Sequence, residues 1–210
     1  MLLCHPQFVL FLTIRLDQCL ISTWILSPPL FAFTPNHKSK ETRDNMNIQE
    51  YFLWFDEVVH PTEPMFRSVP RDKLDWKLTS NSFSLGQLLN HIPRALWFNA
   101  RVINKENLPV NSIREIVLSN RRHPSSTVGE AVGYLHSSVD DFKWAVERLG
   151  EERFAKEILN TPQRGKIPAW RFCAFTLEHH IHHVMELHLC LKFLGVDVDT
   201  RTLYVGEKKP

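Results

Sequence analysis

The fold and the candidate site depend on one histidine-rich stretch near the C-terminus, which runs Leu177-Glu178-His179-His180-Ile181-His182-His183-Val184-Met185-Glu186. Five of the 11 histidines of the chain fall between positions 179 and 188. The stretch lies within residues 169–194, which contain no glycine or proline and repeat apolar residues at intervals of three and four. This pattern predicts one long helix that ends at Gly195.

Helical periodicity places these histidines on different faces of the predicted helix. At about 100° per residue, one face carries Phe172, Phe175, His179, His183, Glu186, Cys190 and Phe193. We expect His180, His182 and His188 to point away from this inward face. Two histidines four residues apart can bind one metal ion, because their imidazoles stand one above the other. A third ligand would come from another helix, and His91 is the best candidate.

Composition and charge restrict the classes of protein to consider. The 210 residues suffice for one domain with a sizeable core. A formal net charge of +2, without a long run of lysine or arginine, argues against a nucleic-acid partner. The low glycine content and the scarcity of alternating β-branched runs favour helices over sheet. Four widely spaced cysteines, without a metal-site or disulfide pattern, favour a reducing, cytoplasmic location.

Residues 1–45 differ in pattern from the rest of the chain. Charged residues and a Pro-Pro pair interrupt their apolar runs, so they match neither a membrane-spanning helix nor a secretory signal. We predict that they are an appendage, either disordered or an upstream extension of a start at Met46. A cleaved or anchoring segment is the alternative. Residues 46–210 are predicted to form the domain, without membrane contact.

Four amphipathic segments, including the histidine-rich one, predict four helices. Capping-box patterns of Ser84 with Gln87 and of Thr127 with Glu130 mark two helix starts, and Gly150 is expected to stop the third helix. The predicted helices cover residues 48–69, 84–103, 127–149 and 169–194. Together they predict an all-α fold, an up-down four-helix bundle with a metal site between the second and fourth helices.

Prolines and polar runs are expected to interrupt or separate these helices. Pro61 and Pro64 should kink or split the first helix, and Pro93 should kink the second. The polar stretch between the second and third helices is predicted to be a loop with a short helix near residues 113–118. Residues 161–168 are rich in turn formers and are predicted to be a connection.

Three stretches are similar to the motifs of one known family. They are Ser84-Leu85-Gly86-Gln87-Leu88-Leu89-Asn90-His91-Ile92, His179-His180-Ile181-His182-His183 followed by Leu191-Lys192-Phe193-Leu194-Gly195, and Thr202-Leu203-Tyr204. The first resembles a second-helix motif that ends in a metal-binding histidine. The second resembles a last-helix motif with two ligands four residues apart, and the third resembles an aromatic tail. On these stretches the domain resembles the DinB/YfiT-like superfamily of metal-binding four-helix bundles.

The resemblance implies a metal site and a class of reaction. In such proteins His91, His179 and His183 would bind one divalent ion, with zinc expected first and nickel or iron as alternatives. Members of the family transfer low-molecular-weight thiols, so a thiol of this kind is a candidate cofactor. Three neutral imidazoles on one ion leave an open coordination position, which is typical of catalytic rather than structural zinc.

Glu186 is the candidate catalytic residue next to the predicted ligands. It lies three residues beyond His183, about 4.5 Å along the helix axis. It is therefore placed to orient a ligand, to join the coordination of the ion, or to act as a general base. A pairing with His182 is the competing interpretation. At this position the family usually has Arg-Gly-Gln, whereas this chain has Val184-Met185-Glu186.

The sequence leaves two classes of function open. The first is a mononuclear metal enzyme, a thiol S-transferase or a hydrolase, that acts on a small-molecule substrate. The second is a non-catalytic metal-binding bundle, a structural or dimerising stress-response protein. A homodimer is a candidate assembly. A pocket beside an open coordination position would favour the first class, and a fourth protein ligand would favour the second.

We predict that the domain folds without residues 1–45, because they contain no candidate site residue and a polar run separates them from Met46. A chain that begins at Met46 should give the helical circular dichroism and the thermal unfolding midpoint of the full chain. A large drop in the midpoint would show instead that the apolar N-terminus packs into the core.

Overall fold

The structure is a computed structural model, and it describes residues 46–106 and 127–207. Its α-helices and strands within these ranges are α1 (Ile48–Val59), α2 (Thr62–Arg67), α3 (Leu85–Ile103), α4 (Val128–Lys156), β1 (Ile158–Thr161), β2 (Gly165–Pro168), α5 (Ala169–Phe193) and α6 (Thr200–Val205), and Arg71–Lys73 form a short 3-10 helix. The short helix predicted near residues 113–118 lies outside the described ranges. No helix in the described ranges is long and apolar enough to cross a membrane.

The two predicted capping boxes are present in the structure. The Oγ of Ser84 accepts a hydrogen bond from the Gln87 N–H at 3.2 Å, and the Gln87 side chain accepts one from the Ser84 N–H at 2.8 Å. Thr127 and Glu130 form the same reciprocal pair at the start of α4. These bonds satisfy backbone donors that have no partner within the helix. The predicted starts of the second and third helices are therefore confirmed.

The first predicted helix is divided in the structure. The sequence predicts a helix over residues 48–69 that Pro61 and Pro64 kink or split, and the structure confirms the split, since the chain forms α1 and α2. Proline lacks the N–H that a helix interior needs, so Pro61 can follow α1 but cannot continue it. Pro64 lies in the first turn of α2, where a missing N–H costs little.

Gly150 stops the first helical segment of α4, as predicted, and a second short segment follows it. Its backbone has φ of 69° and ψ of 161°, outside the helical region, yet helical turns resume and α4 reaches Lys156. Glycine adopts this conformation because it has no Cβ. In α3, by contrast, the helix runs through Pro93 to Ile103.

A β-hairpin connects α4 to α5, where the sequence predicted only a connection. The strands β1 and β2 pair antiparallel, with Ile158 opposite Pro168 and Thr161 opposite Gly165. Gly165 has φ of 65° at the end of the turn. Four-residue strands give too short an alternation to be separated from a loop by periodicity. The predicted all-α fold is confirmed except for this hairpin.

Helix α5 contacts most of the other elements. It packs against α3 and α4 and also against α1, α2 and α6. The hydroxyl of Tyr51 in α1 donates a buried hydrogen bond to the Cys173 carbonyl oxygen in α5 at 2.9 Å. Phe55 of α1 stacks on Phe142 of α4, with ring centroids 5.3 Å apart. Because α5 is enclosed in this way, its histidines face packed neighbours on more than one side.

Replacement of Gly150 by alanine should destabilise the fold, because an L-residue is strained at its φ and ψ. We expect the free energy of unfolding to fall by about 1–3 kcal/mol, measured by urea denaturation. The matched control is Gly133→Ala in the same helix, at an exposed position where an added Cβ meets no atom within 4 Å. This control should stabilise the fold by about 0.5–1 kcal/mol. Equal effects of the two substitutions would contradict the assigned backbone conformation.

Candidate metal centre

The structure brings His91, His179 and His183 together between α3 and α5. One ring nitrogen from each side chain lies within 4.8 Å of the other two. The Nε2 atoms of His91 and His183 are 3.1 Å apart. Two imidazole nitrogens on one tetrahedral ion would be separated by about 3.4 Å. The geometry of this histidine triad therefore suits one small divalent cation.

Helix geometry and helix packing each place part of the triad. His179 and His183 are one turn apart on α5, and their ring centroids are 4.5 Å apart. His91 lies in the apolar stripe of α3 between the buried residues Leu88 and Ile92, so it is carried inward with that stripe. It is only 8% exposed. The packing of α3 on α5 then sets the distance between His91 and the His179–His183 pair.

Glu186 contacts the triad through His183. Its Oε2 lies 2.9 Å from Nδ1 of His183. A carboxylate can only accept a hydrogen bond, so this contact requires the proton of the neutral imidazole to be on Nδ1. The lone pair is then on Nε2, the atom that faces His91. The structure therefore places Glu186 beside His183 rather than in the predicted alternative pairing with His182.

Two phenylalanines lie against the triad, and the sequence predicted a site role for neither. Phe83 stacks on His91 with ring centroids 5.0 Å apart, and it also contacts the ring of His183 edge-on. Phe175 lies 6.1 Å from His179, centroid to centroid. The available signal for Phe83 was its position immediately before the Ser84 cap, where an apolar residue is expected to pack back onto the structure. These rings give the triad apolar walls.

Burial keeps part of the triad neutral. Loss of hydration, with a smaller contribution from the neighbouring His183, His180 and His182, lowers the pKa of His179 to about 3. His179 is therefore uncharged at pH 7, which is the form that coordinates a metal ion.

Two other histidines of α5 are buried outside the triad. His180 is 2% exposed, and its Nε2 lies 2.8 Å from the Oγ1 of Thr62 in α2. His188 is also buried, whereas His182 is exposed. The sequence indicated only that these histidines point away from the inward face, and that much is correct. Because α5 is packed on a second side by α2 and α6, pointing away from the triad does not mean facing solvent.

The cysteines near this region are core residues rather than nucleophiles. Cys190 is buried, and its pKa is raised to about 11 by burial and by the charge of Glu186. Burial also raises the pKa of Cys173 far above its usual range. Both thiols therefore stay protonated at pH 7, and a protonated thiol is a poor nucleophile.

The model of the DinB superfamily matches residues 55–187, a span that includes the whole triad. The chain belongs to the DinB superfamily. Among solved structures, a DinB-like protein from Bacillus cereus is similar, with 13% identity and a TM-score of 0.59 over 73% of this chain and 97% of that one. The DinB-like protein YjoA from Bacillus subtilis has 18% identity and a TM-score of 0.52 over 70% and 92%. No curated protein sequence matches the chain.

Membership of the DinB superfamily fixes the fold and leaves the roles of individual residues to the geometry. At these identities the two structural neighbours show a shared fold alone. The proximity of His91, His179 and His183 is an observation made on this chain. Their assignment as metal ligands, and the role of Glu186, stay predictions.

Removal of the Glu186 side chain should weaken metal binding without abolishing it, because this carboxylate orients His183. We expect Glu186→Ala to lower the affinity for Zn²⁺ by about 10–100-fold, measured by competition with a chelating dye. Glu186→Gln keeps an accepting oxygen and should retain most of the affinity and the full stoichiometry. The control is Glu178→Ala on the same helix, since Glu178 pairs with Arg171. Complete loss of metal in Glu186→Gln would make Glu186 a direct ligand.

Proposed function

We propose that this chain is a mononuclear divalent-metal enzyme of the thiol S-transferase or hydrolase kind. The observation that carries the proposal is the convergence of three imidazoles, from two helices, within 4.8 Å. Among residues 46–106 and 127–207, no fourth His, Cys, Asp or Glu joins this group. Three protein ligands with an open position are typical of catalytic zinc, whereas structural zinc has four.

The residues around the triad have distinct tasks in this proposal. His91, His179 and His183 would hold the ion, zinc first and nickel or iron as alternatives. Glu186 keeps the proton of His183 on Nδ1, so that Nε2 points its lone pair into the site. Phe83 and Phe175 limit the access of water to the triad, and this strengthens electrostatic interactions inside the site. A bound ion would supply Lewis acidity and would favour the thiolate form of a thiol.

The proposed thiol S-transferase activity is supported by membership of the superfamily, and the proposed hydrolase activity is supported by the three-histidine ligand set. Members of the superfamily use low-molecular-weight thiols, and this chain has no thiolate of its own in the described ranges, because both cysteines there are buried and protonated. A thiol that reacts at this site would therefore come from a small molecule. A cytoplasmic location, where such thiols are reduced, is part of the proposal.

A second candidate function is a non-catalytic metal-binding protein that assembles as a homodimer. The observation that favours it is the exposure of three large apolar residues on α5, since Ile181, Leu189 and Phe193 are 42%, 45% and 70% exposed. Exposed apolar patches commonly mark protein–protein contacts. In this case the metal would stabilise the fold, and the ion would offer no exchangeable position to a small molecule.

Loss of any one histidine of the triad should reduce metal affinity at least about 10–100-fold, since loss of a residue that merely supports a ligand already costs that much. His91→Ala, His179→Ala and His183→Ala would each be compared with the parent for bound Zn²⁺ or Ni²⁺ by elemental analysis and titration. The same three variants should lose turnover in a screen that combines thiols with electrophiles and includes ester and amide substrates.

His182→Ala is the matched control for this series, because His182 is exposed on the same helix. His180 is unsuitable as a control, because its contact with Thr62 is buried and its removal would destabilise the fold. Metal binding that depends on His182 but not on His91 would place the ion on the protein surface, against the proposal. Full metal occupancy without turnover or thiol binding would favour the second candidate function.

A further inference from the structure

The turn of the β-hairpin is held in a fixed position beside α3 and α5. The Oγ1 of Thr161 accepts a hydrogen bond from the backbone N–H of Arg164 at 3.0 Å and donates one to the Gly165 carbonyl oxygen at 3.1 Å. The Gln163 side chain donates to Asn99 of α3 at 3.4 Å. Asn99 in turn donates to Thr176 of α5 at 3.1 Å. The backbone at Arg164 is therefore anchored to the same two helices that supply the triad.

The Arg164 side chain lies over Phe175, the phenylalanine that neighbours His179 of the triad. Its Cζ lies 4.6 Å from the centroid of the Phe175 ring, in a cation–π contact. The Phe175 ring is 6.1 Å from the His179 ring, centroid to centroid. The Phe175 ring thus neighbours both the Arg164 guanidinium and a triad imidazole.

Arg164 also keeps its positive charge available. No Asp or Glu of the described ranges forms an ion pair with it. The nearby Arg171 is different, because it pairs with Glu178 on α5 at 3.0 Å. Arg101 and Arg153 likewise pair with carboxylates. An exposed guanidinium that is fixed on an aromatic ring, but not neutralised, is suited to bind an anionic group from a ligand.

We propose that Arg164 binds the carboxylate of the small-molecule thiol that uses the triad. This inference rests on the proposed function and names the chemical class of its ligand, a low-molecular-weight thiol that carries a carboxylate. The sulfur would be directed to the triad, and the carboxylate would accept hydrogen bonds from the planar fork of the guanidinium. A single guanidinium matches a single carboxylate. Phe175, which neighbours both Arg164 and His179, would offer an apolar surface to the carbon chain of the thiol.

The test is thiol binding to the full chain loaded with Co²⁺, followed through the sulfur-to-cobalt charge-transfer absorption. The probes are mercaptopropionate and mercaptohexanoate, each paired with the mercaptoalcohol of equal length. The parent should bind at least one of the carboxylates about tenfold more tightly than its alcohol, as expected for one hydrogen bond to a charged group. Arg164→Gln should remove this preference. Arg164→Lys should retain part of it, because lysine keeps the charge but lacks the fork.

The matched control is Arg148→Gln. Arg148 is likewise exposed and lies over an aromatic ring, with its Cζ 4.5 Å from the ring centroid of Trp144 in α4. This variant should keep the full preference. Equal binding of carboxylate and alcohol by the parent, or a preference that survives Arg164→Gln, would overturn the inference and leave the metal site intact. Failure of the parent to bind Co²⁺ through the triad would instead overturn the proposed function.

Discussion

The packing of α3 against α5 controls the candidate site, because it buries imidazoles that two separate helices supply. A buried polar group without a partner costs about 1–3 kcal/mol, so such groups persist where neighbours satisfy them. On one side of α5, His183 meets His91 and Glu186. On another face of α5, the His180 ring forms a hydrogen bond with Thr62 of α2. Helix α5 therefore carries polar contacts to both α3 and α2 within a largely apolar core.

Charge explains why so many histidines can stand close together. Protonated imidazoles would repel one another, and burial removes the hydration that would stabilise them. The pKa values of His179 and His180 are both lowered to about 3, so neither carries charge at neutral pH. The same low hydration that keeps these rings neutral prepares the site for a cation, since a metal ion takes the lone pairs that protons leave free.

The hairpin between α4 and α5 is held against the helices that carry the triad. Its turn is fixed by hydrogen bonds of Thr161 and by the contact of Gln163 with Asn99. Such a short connection is a place where ligand preference can change without disturbing the helical core, since loops tolerate variation better than packed elements. The sequence signalled only turn formers here, because the contact of Gln163 with Asn99 joins residues far apart in the chain and leaves no local pattern.

The sequence alone determined the helices with strong periodicity, their capping boxes and the His179–His183 pair, since each depends on residues a few positions apart. Its motifs also indicated the superfamily and pointed to His91. Only the tertiary structure decided that His91 reaches the pair, that His180 and His188 are buried, and that Phe83 covers the triad. These facts depend on which faces of separate helices meet. Periodicity within one helix defines its faces but does not show what packs against them.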